Sequence, residues 1–160
     1  MVLEIDIPNI GTLTLEHLIM DLNGTIATDG EIEDELGRMF EKIKKKGLLE
    51  LHVLTADTFG TAKTMAKIFG LNCHILPKKK GEAEEKLDFL NSLGSEKCVA
   101  MGNGNNDHLM LENAGLGIGV LGKEGIATQC LLSADLVVQD PKDAFLLLLY
   151  PDRLKATLRC

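Results

Sequence analysis

Six short, almost wholly apolar runs constrain this chain more than any other feature: Leu18-Ile19-Met20, Leu51-His52-Val53-Leu54, Cys73-His74-Ile75-Leu76, Cys98-Val99-Ala100-Met101, Leu116-Gly117-Ile118-Gly119-Val120 and Leu136-Val137-Val138. Such runs offer no polar side to water, so they read as strands buried on both faces. Between them lie stretches with helical spacing. In Ile32 to Lys46, the apolar Ile32, Leu36, Met39, Phe40 and Ile43 recur at intervals of three and four, Gly47 supplies a stop, and Lys44 to Lys46 suit a helix C-terminus. Thr61 to Phe69, Glu82 to Leu93, Asn106 to Ala114, Glu124 to Leu132 and Lys142 to Leu149 repeat the pattern. Strand–helix alternation with short connections predicts an α/β fold, with helices on both faces of an open, mostly parallel sheet. Ahead of it, Val2 to Ile7 and Thr12 to Leu15 alternate apolar with polar around Pro8-Asn9-Ile10-Gly11, which predicts an N-terminal edge β-hairpin.

A length of 160 residues suits one domain, residues 1–160 with a core of about 17–149, and no long linker, repeat or low-complexity stretch divides it. The 24 acidic residues outnumber 17 Lys and Arg, and the basic run Lys78-Lys79-Lys80 is followed at once by Glu82, Glu84 and Glu85. That balance argues against nucleic acid as a partner. The longest apolar run without glycine, Ala144 to Tyr150, falls far short of the roughly 20 residues that span a bilayer, and the first residues lack a signal peptide's basic start and apolar core. The expectation is a soluble, cytoplasmic protein with no membrane partner. Cys73, Cys98, Cys130 and Cys160 are far apart and read as free thiols.

In a sheet of this kind, ligands bind at the carboxyl ends of the strands. After the first buried run comes Asp21-Leu22-Asn23-Gly24-Thr25, after the second Thr55-Ala56-Asp57, and after the fourth Gly102-Asn103-Gly104-Asn105-Asn106-Asp107. Lys80 or Lys86 opens a helix whose start faces the same edge. Together they bring a carboxylate, a hydroxyl, an ammonium and an amide/carboxylate cluster beside helix N-termini. That set suits a phosphoryl group bound with a divalent metal, whose charge is spread over three oxygens and needs several donors at once.

Taken in this order, Asp-x-Asn-Gly-Thr, a strand-ending Thr, a lysine at a helix start and Gly-Asn-Gly-x-Asn-Asp resemble the haloacid dehalogenase superfamily of phosphatases, and most nearly its small members similar to the P-type ATPase phosphorylation domain. The resemblance runs from about His17 to Leu149. It implies a Rossmann-like, haloacid dehalogenase-like core and a Mg²⁺-dependent phosphohydrolase, phosphatase or ATPase-like, that acts on a small phosphorylated substrate. Within it, Asp21 corresponds to the nucleophile that forms an aspartyl-phosphate, and Thr55 to a hydroxyl on a phosphoryl oxygen. Gly24, Ala56 and Asn106 fall at phosphate-site positions. Lys80, 23 residues before Asn103 as in phosphoserine phosphatase-like members, is slightly preferred over Lys86 as the charge-neutralising lysine. Asn103 and Asp107 fall where Mg²⁺ is bound directly or through water, with Asp21 and the backbone carbonyl of Asn23. The connections Ile26 to Gly30 and Thr58 to Pro77 have no room for a cap domain, so the pocket is expected to be open. Capless relatives often form dimers or tetramers, and Phe145 to Tyr150 with Leu154 to Leu158 offer apolar surface for such a homo-oligomer.

Two residues depart from the pattern. Asn23 stands where these phosphatases carry a general acid/base Asp, a loss worth roughly 10²–10⁴ in rate for a leaving group that needs protonation. Asn103 stands where the family has a metal-binding Asp, which predicts weaker metal affinity. With two carboxylates replaced by amides, the excess acid of the chain is expected to lie mostly outside the pocket. A second reading, a weak or inactive phosphate-binding protein, rests on the same two residues; a receiver domain shares the Asp, Thr and Lys logic but lacks the order of acidic residues. His17, His52, His74 and His108 are read as core or surface residues.

Overall fold

The computed structural model describes residues 1–57 and 60–160. The predicted apolar runs form a six-stranded, all-parallel sheet: β3 (His17–Asp21), β4 (Glu50–Thr55), β5 (Asn72–Ile75), β6 (Cys98–Gly102), β7 (Leu116–Val120) and β8 (Leu136–Val138), in the order β5-β4-β3-β6-β7-β8. The chain runs outward from β3 to β4 and β5, then returns to the other side of β3. The order therefore reverses beside β3, and the crevice that such a reversal opens lies at the end of Asp21's strand.

Strand parity sorts the side chains into two cores. Leu18, Met20, Leu51, Val53, Val99 and Met101 point to one face, which is covered by α1 (Asp34–Lys45), α6 (Pro141–Leu149) and α7 (Pro151–Leu158). There Phe40 packs edge-on against Phe69 of α2 (Thr61–Phe69) and Phe145 of α6, with ring centroids 5.9 and 5.2 Å apart. Ile19, Leu54, Cys98 and Ala100 point to the other face, covered by α3 (Glu82–Leu93), α4 (His108–Asn113) and α5 (Thr128–Ser133). The result is the expected three-layer α/β/α fold.

The hairpin, β1 (Leu3–Ile7) and β2 (Gly11–Leu15), forms a separate two-stranded sheet rather than an edge of the main one. Its Leu3, Ile5, Ile7 and Leu15 are buried, and α7 packs on β1, so the tail helix and the hairpin complete one core face together. Glu16 then hands the chain to β3, with its N–H on the Lys97 carbonyl and its carbonyl on the Glu50 N–H.

Two helices start later than their periodicity suggests. The segment expected to be helical from Asn106 holds a 3₁₀ turn, Asn105–Asp107, before α4, because the Asp107 carboxylate accepts the N–H groups of Asn103 and Gly104 and tightens the turn. The segment expected from Glu124 is helical only from Thr128, because residues 125–127 fold over Asn103: its side-chain amide donates to the Gly125 carbonyl, and its own carbonyl accepts the Ala127 N–H. Of the stretch read as one helix and one strand, Thr58 and Phe59 lie outside the described residues; the remainder holds α2 and β5. No helix among the described residues is long and apolar enough to cross a membrane. All four cysteines are free, Cys98 and Cys130 being buried.

Candidate active site

Strand register brings the three sequence loops together. Met20 pairs with Met101 on β6 and Asp21 with Leu54 on β4, so Asp21 ends level with the last residues of both neighbouring strands. Asp21, Asn23, Thr55, Ala56, Lys86, Asn103 and Asn106 line one cleft of about 320 Å³.

At its floor lies a buried cluster of charges. Lys86 Nζ donates to Asp21 Oδ1 at 2.7 Å and to Asp107 Oδ1 at 2.6 Å, and the lysine is only 1% exposed. Asp107 is completely buried, its Oδ2 accepting two backbone N–H groups at 3.0 Å each, from Asn103 and Gly104. The Thr25 hydroxyl lies 3.3 Å from Asp21 Oδ2 and 3.2 Å from Asn103 Oδ1, bridging the first and last loops. Two carboxylates thus share one ammonium. Burial acts to strip the proton from Lys86, but the Asp21 and Asp107 carboxylates outweigh it and hold its pKa above the ordinary lysine value. Burial first, and the Asp107 carboxylate second, push the Asp21 carboxyl up to about 7 against the pull of Lys86 and Thr25.

The two candidate lysines part company. Lys80 precedes α3, its backbone N–H held by the Glu85 carboxylate together with those of Lys78 and Lys79, and its exposed side chain pairs with Asp88. The slight preference for Lys80 is therefore corrected: Lys86, one turn into α3, is the lysine whose helix face meets the sheet. A sequence signal existed, since Lys86 falls on the stripe of Ala83, Leu87 and Leu90, where an unpaired lysine has no reason to sit.

The remaining residues take varied places. Thr55 is buried and its Oγ1 accepts the Asp57 N–H at 3.1 Å. The Asp57 carboxylate in turn receives the Thr61 hydroxyl and the Ala62 N–H at the start of α2. Asn23 is exposed at the cleft, and Asn106 donates to Glu82 at 2.7 Å. Gly24, expected at the phosphate, instead donates its N–H to the Ala27 carbonyl. Its φ of +79° and the Cβ it lacks, which would stand 2.5 Å from Glu124 and 2.6 Å from Asn103, make it the residue that lets this loop pass beneath both side chains.

Sequence reasoning missed the rim. Asp57, Glu82 and Glu124 also line the cleft, so it holds several carboxylates against one ammonium. The expectation of a charge-depleted pocket is corrected, because Asp57 of the second loop, Glu82 at the start of α3 and Glu124 ahead of α5 deliver carboxylates that the positions of Asn23 and Asn103 lack. Such a cleft repels a free phosphate dianion and attracts a cation. The donors that Asp21 and the Asn103 side chain offer to this cleft are oxygens, which fit a hard divalent ion such as Mg²⁺ that keeps several of its waters.

No family model matches the chain. It is 50% identical over 86 residues to the uncharacterized protein MJ0073 of Methanocaldococcus jannaschii, covering 51% of this chain and 92% of that protein. It is 28% identical over 122 residues to a cadmium, zinc and cobalt-transporting ATPase of Bacillus subtilis; the match takes 73% of this chain but only 17% of the ATPase. Among solved structures, a Legionella pneumophila protein assigned to subfamily III A of the haloacid dehalogenase superfamily superposes with a TM-score of 0.71 at 13% identity, covering 90% of this chain and 87% of that one. The chain has the haloacid dehalogenase-like fold. A second solved structure, the 3-deoxy-D-manno-octulosonate 8-phosphate phosphatase of Moraxella catarrhalis, determined with magnesium and phosphate, superposes with a TM-score of 0.69 at 18% identity over 91% of this chain and 94% of its own. At these identities, the likeness to both structures is one of fold.

Proposed function

We propose that this chain is a haloacid dehalogenase-superfamily phosphohydrolase that uses Mg²⁺, with Asp21 as its nucleophile and an open cleft for a small phosphorylated substrate. The observation that carries the reading is Lys86, buried at 2.7 Å from Asp21 and fixed from behind by Asp107. A permanent ammonium in that place stabilises negative charge gathering on phosphorus and orients one oxygen of the nucleophile. An Asp21 oxygen forms a bond to phosphorus while the bond from phosphorus to the leaving oxygen breaks, and that oxygen departs with the electron pair. Water then attacks the aspartyl-phosphate at phosphorus. Asp21 leaves as a carboxylate, and inorganic phosphate is released with the water's proton. Thr55 and Asn106, which line the cleft, would donate to phosphoryl oxygens. Asp21, Asn103 and the Asn23 carbonyl would hold Mg²⁺, which supplies further charge neutralisation at the phosphoryl group.

Asn23 sets the substrate class. An amide does not transfer protons near neutral pH, so the favoured substrates have leaving groups that depart unprotonated, such as acyl phosphates and nucleoside triphosphates. The test is phosphate release from acetyl phosphate, ATP and p-nitrophenyl phosphate with Mg²⁺, compared with Asp21→Ala. Acetyl phosphate or ATP is expected to turn over well above that control, with the alkyl monoester 3-deoxy-D-manno-octulosonate 8-phosphate far slower. Rates equal to the control, with retained phosphate binding, would establish the second reading, a binding protein, which Asn23 also favours. Asn23→Asp is expected to raise monoester turnover by about 10²-fold or more while leaving acetyl phosphate nearly unchanged; equal effects on both would remove the general-acid account of position 23.

A further inference from the structure

Three histidines from three adjacent strands form a diagonal row across one face of the sheet, starting from the amino end of β3. His17 opens β3, His52 lies on β4 and His74 on β5. His17 Nδ1 stands 3.2 Å from His52 Nε2, and His52 Nδ1 stands 3.1 Å from His74 Nε2. Glu50, paired with His17 across the strands, closes the row: its Oε2 lies 3.4 Å from His17 Nδ1 and 3.7 Å from His52 Nε2. Four residue steps along β3 put His17 about 13 Å from Asp21, and His52 is level with Ile19, two residues short of Asp21.

Hydrogen bonding alone accounts poorly for the arrangement. His17 Nδ1, His52 Nε2 and Glu50 Oε2 converge within 4.8 Å of one another, and one imidazole proton cannot serve both acceptors. A tetrahedral ion with bonds of about 2.0–2.1 Å has ligand–ligand edges of about 3.3–3.4 Å. The triangle of 3.2, 3.4 and 3.7 Å is close to one face of that tetrahedron.

We infer that His17, Glu50 and His52 form a binding site for a divalent transition-metal ion of the zinc class, separate from the phosphoryl cleft and independent of its proposed chemistry. The surroundings suit the role. In the tautomer in which His52 Nδ1 donates to His74 Nε2 across the 3.1 Å contact, the His52 Nε2 lone pair is left for the metal, the arrangement by which ligand histidines are oriented. The other oxygen of Glu50 accepts the Asn72 side-chain amide at 2.9 Å, which directs Oε2 toward the imidazoles. Phe89 packs on both His52 and His74 and covers the row from α3. Glu50 is 44% exposed along its side chain, which gives an ion a way in and leaves the fourth position to water. Two imidazoles and one carboxylate match the borderline ions rather than Mg²⁺, whose preference is for oxygen. On binding, His17 moves its proton from Nδ1 to Nε2, and the ion ties β3 to β4.

The test is calorimetric titration of the full chain with Zn²⁺ in excess Mg²⁺, which keeps the oxygen-lined cleft filled. One Zn²⁺ per chain is expected for the wild type and for Asp21→Asn, with affinity reduced at least tenfold in both His17→Gln and Glu50→Gln. Both replaced side chains are partly exposed, so circular dichroism matching the wild type confirms that the variants fold. In parallel, histidine-ring ¹⁵N spectra are expected to show His17 Nδ1 and His52 Nε2 shifting together when Zn²⁺ is added. The inference is overturned if the wild type binds no Zn²⁺ in Mg²⁺, or if binding survives the His17 and Glu50 replacements and is lost in Asp21→Asn.

Discussion

Lys86→Met is expected to lower the stability of the metal-free protein by about 3–5 kcal/mol at pH 8, the range for removing one partner from a buried ion cluster. The physical reason is the count of charges. Asp21 and Asp107 are both buried around one ammonium, and Asp107 already has its other oxygen on two backbone N–H groups. Methionine fills the volume but leaves two carboxylates facing each other with no cation between them. For a domain of this size, the melting temperature falls on the order of 10 °C. The measurement is urea denaturation in EDTA of wild type, Lys86→Met, Asp21→Asn and the double variant. Removing the Asp21 charge is expected to return most of the loss, so the double variant lies well above Lys86→Met. A loss below about 1 kcal/mol in the single variant, or strict additivity in the cycle, would show that the cluster is not coupled in this way. The same substitution removes the ammonium from the proposed phosphoryl site, so turnover is expected to fall by at least 10²-fold, the scale of one lost charge-stabilising donor.

The pH dependence of stability isolates Asp21. Its carboxyl is raised from 3.8 to about 7, so the folded chain binds that proton more tightly than the unfolded chain does. Stability from this group is therefore fully present below pH 3.8 and is lost as pH rises toward 7. Burial holds His52 down at about 4 and also lowers His74. These groups act in the opposite sense, adding stability as pH rises toward their unfolded value near 6.5. The wild-type profile alone mixes these effects, and the difference from Asp21→Asn separates them. Without metal, Asp21→Asn is expected to match the wild type near pH 4 and to exceed it at pH 8 by up to about 4 kcal/mol, three pKa units at 1.36 kcal/mol each. Adding Mg²⁺ at pH 8 is expected to stabilise the wild type and leave Asp21→Asn nearly unchanged. A pH-independent difference between the two proteins would contradict the raised Asp21 carboxyl.

Most of the architecture was legible in one dimension because burial on both faces leaves a composition that only a central parallel strand shows. Leu18-Ile19-Met20 and Cys98-Val99-Ala100-Met101 lie inside strands, and Asp21, Thr55, Asn103 and Asp107 gather at one edge, because each follows an apolar run and all the runs point the same way. Periodicity failed where a side chain from elsewhere takes backbone hydrogen bonds. The turn at Asn105–Asp107 and the late start of α5 both follow from contacts around Asn103 that no local pattern records.

The sequence by itself determined the sheet, its direction and the order in which polar residues arrive at its carboxyl edge, since strand burial and helical spacing are local properties of the chain. Only the tertiary structure decided between Lys80 and Lys86, gathered the acidic rim of Asp57, Glu82 and Glu124, and aligned His17, His52 and His74 in one row. Each of those depends on helix rotation or strand register. Those are set by packing between segments far apart in the chain, which places a lysine against two carboxylates or leaves it in solvent.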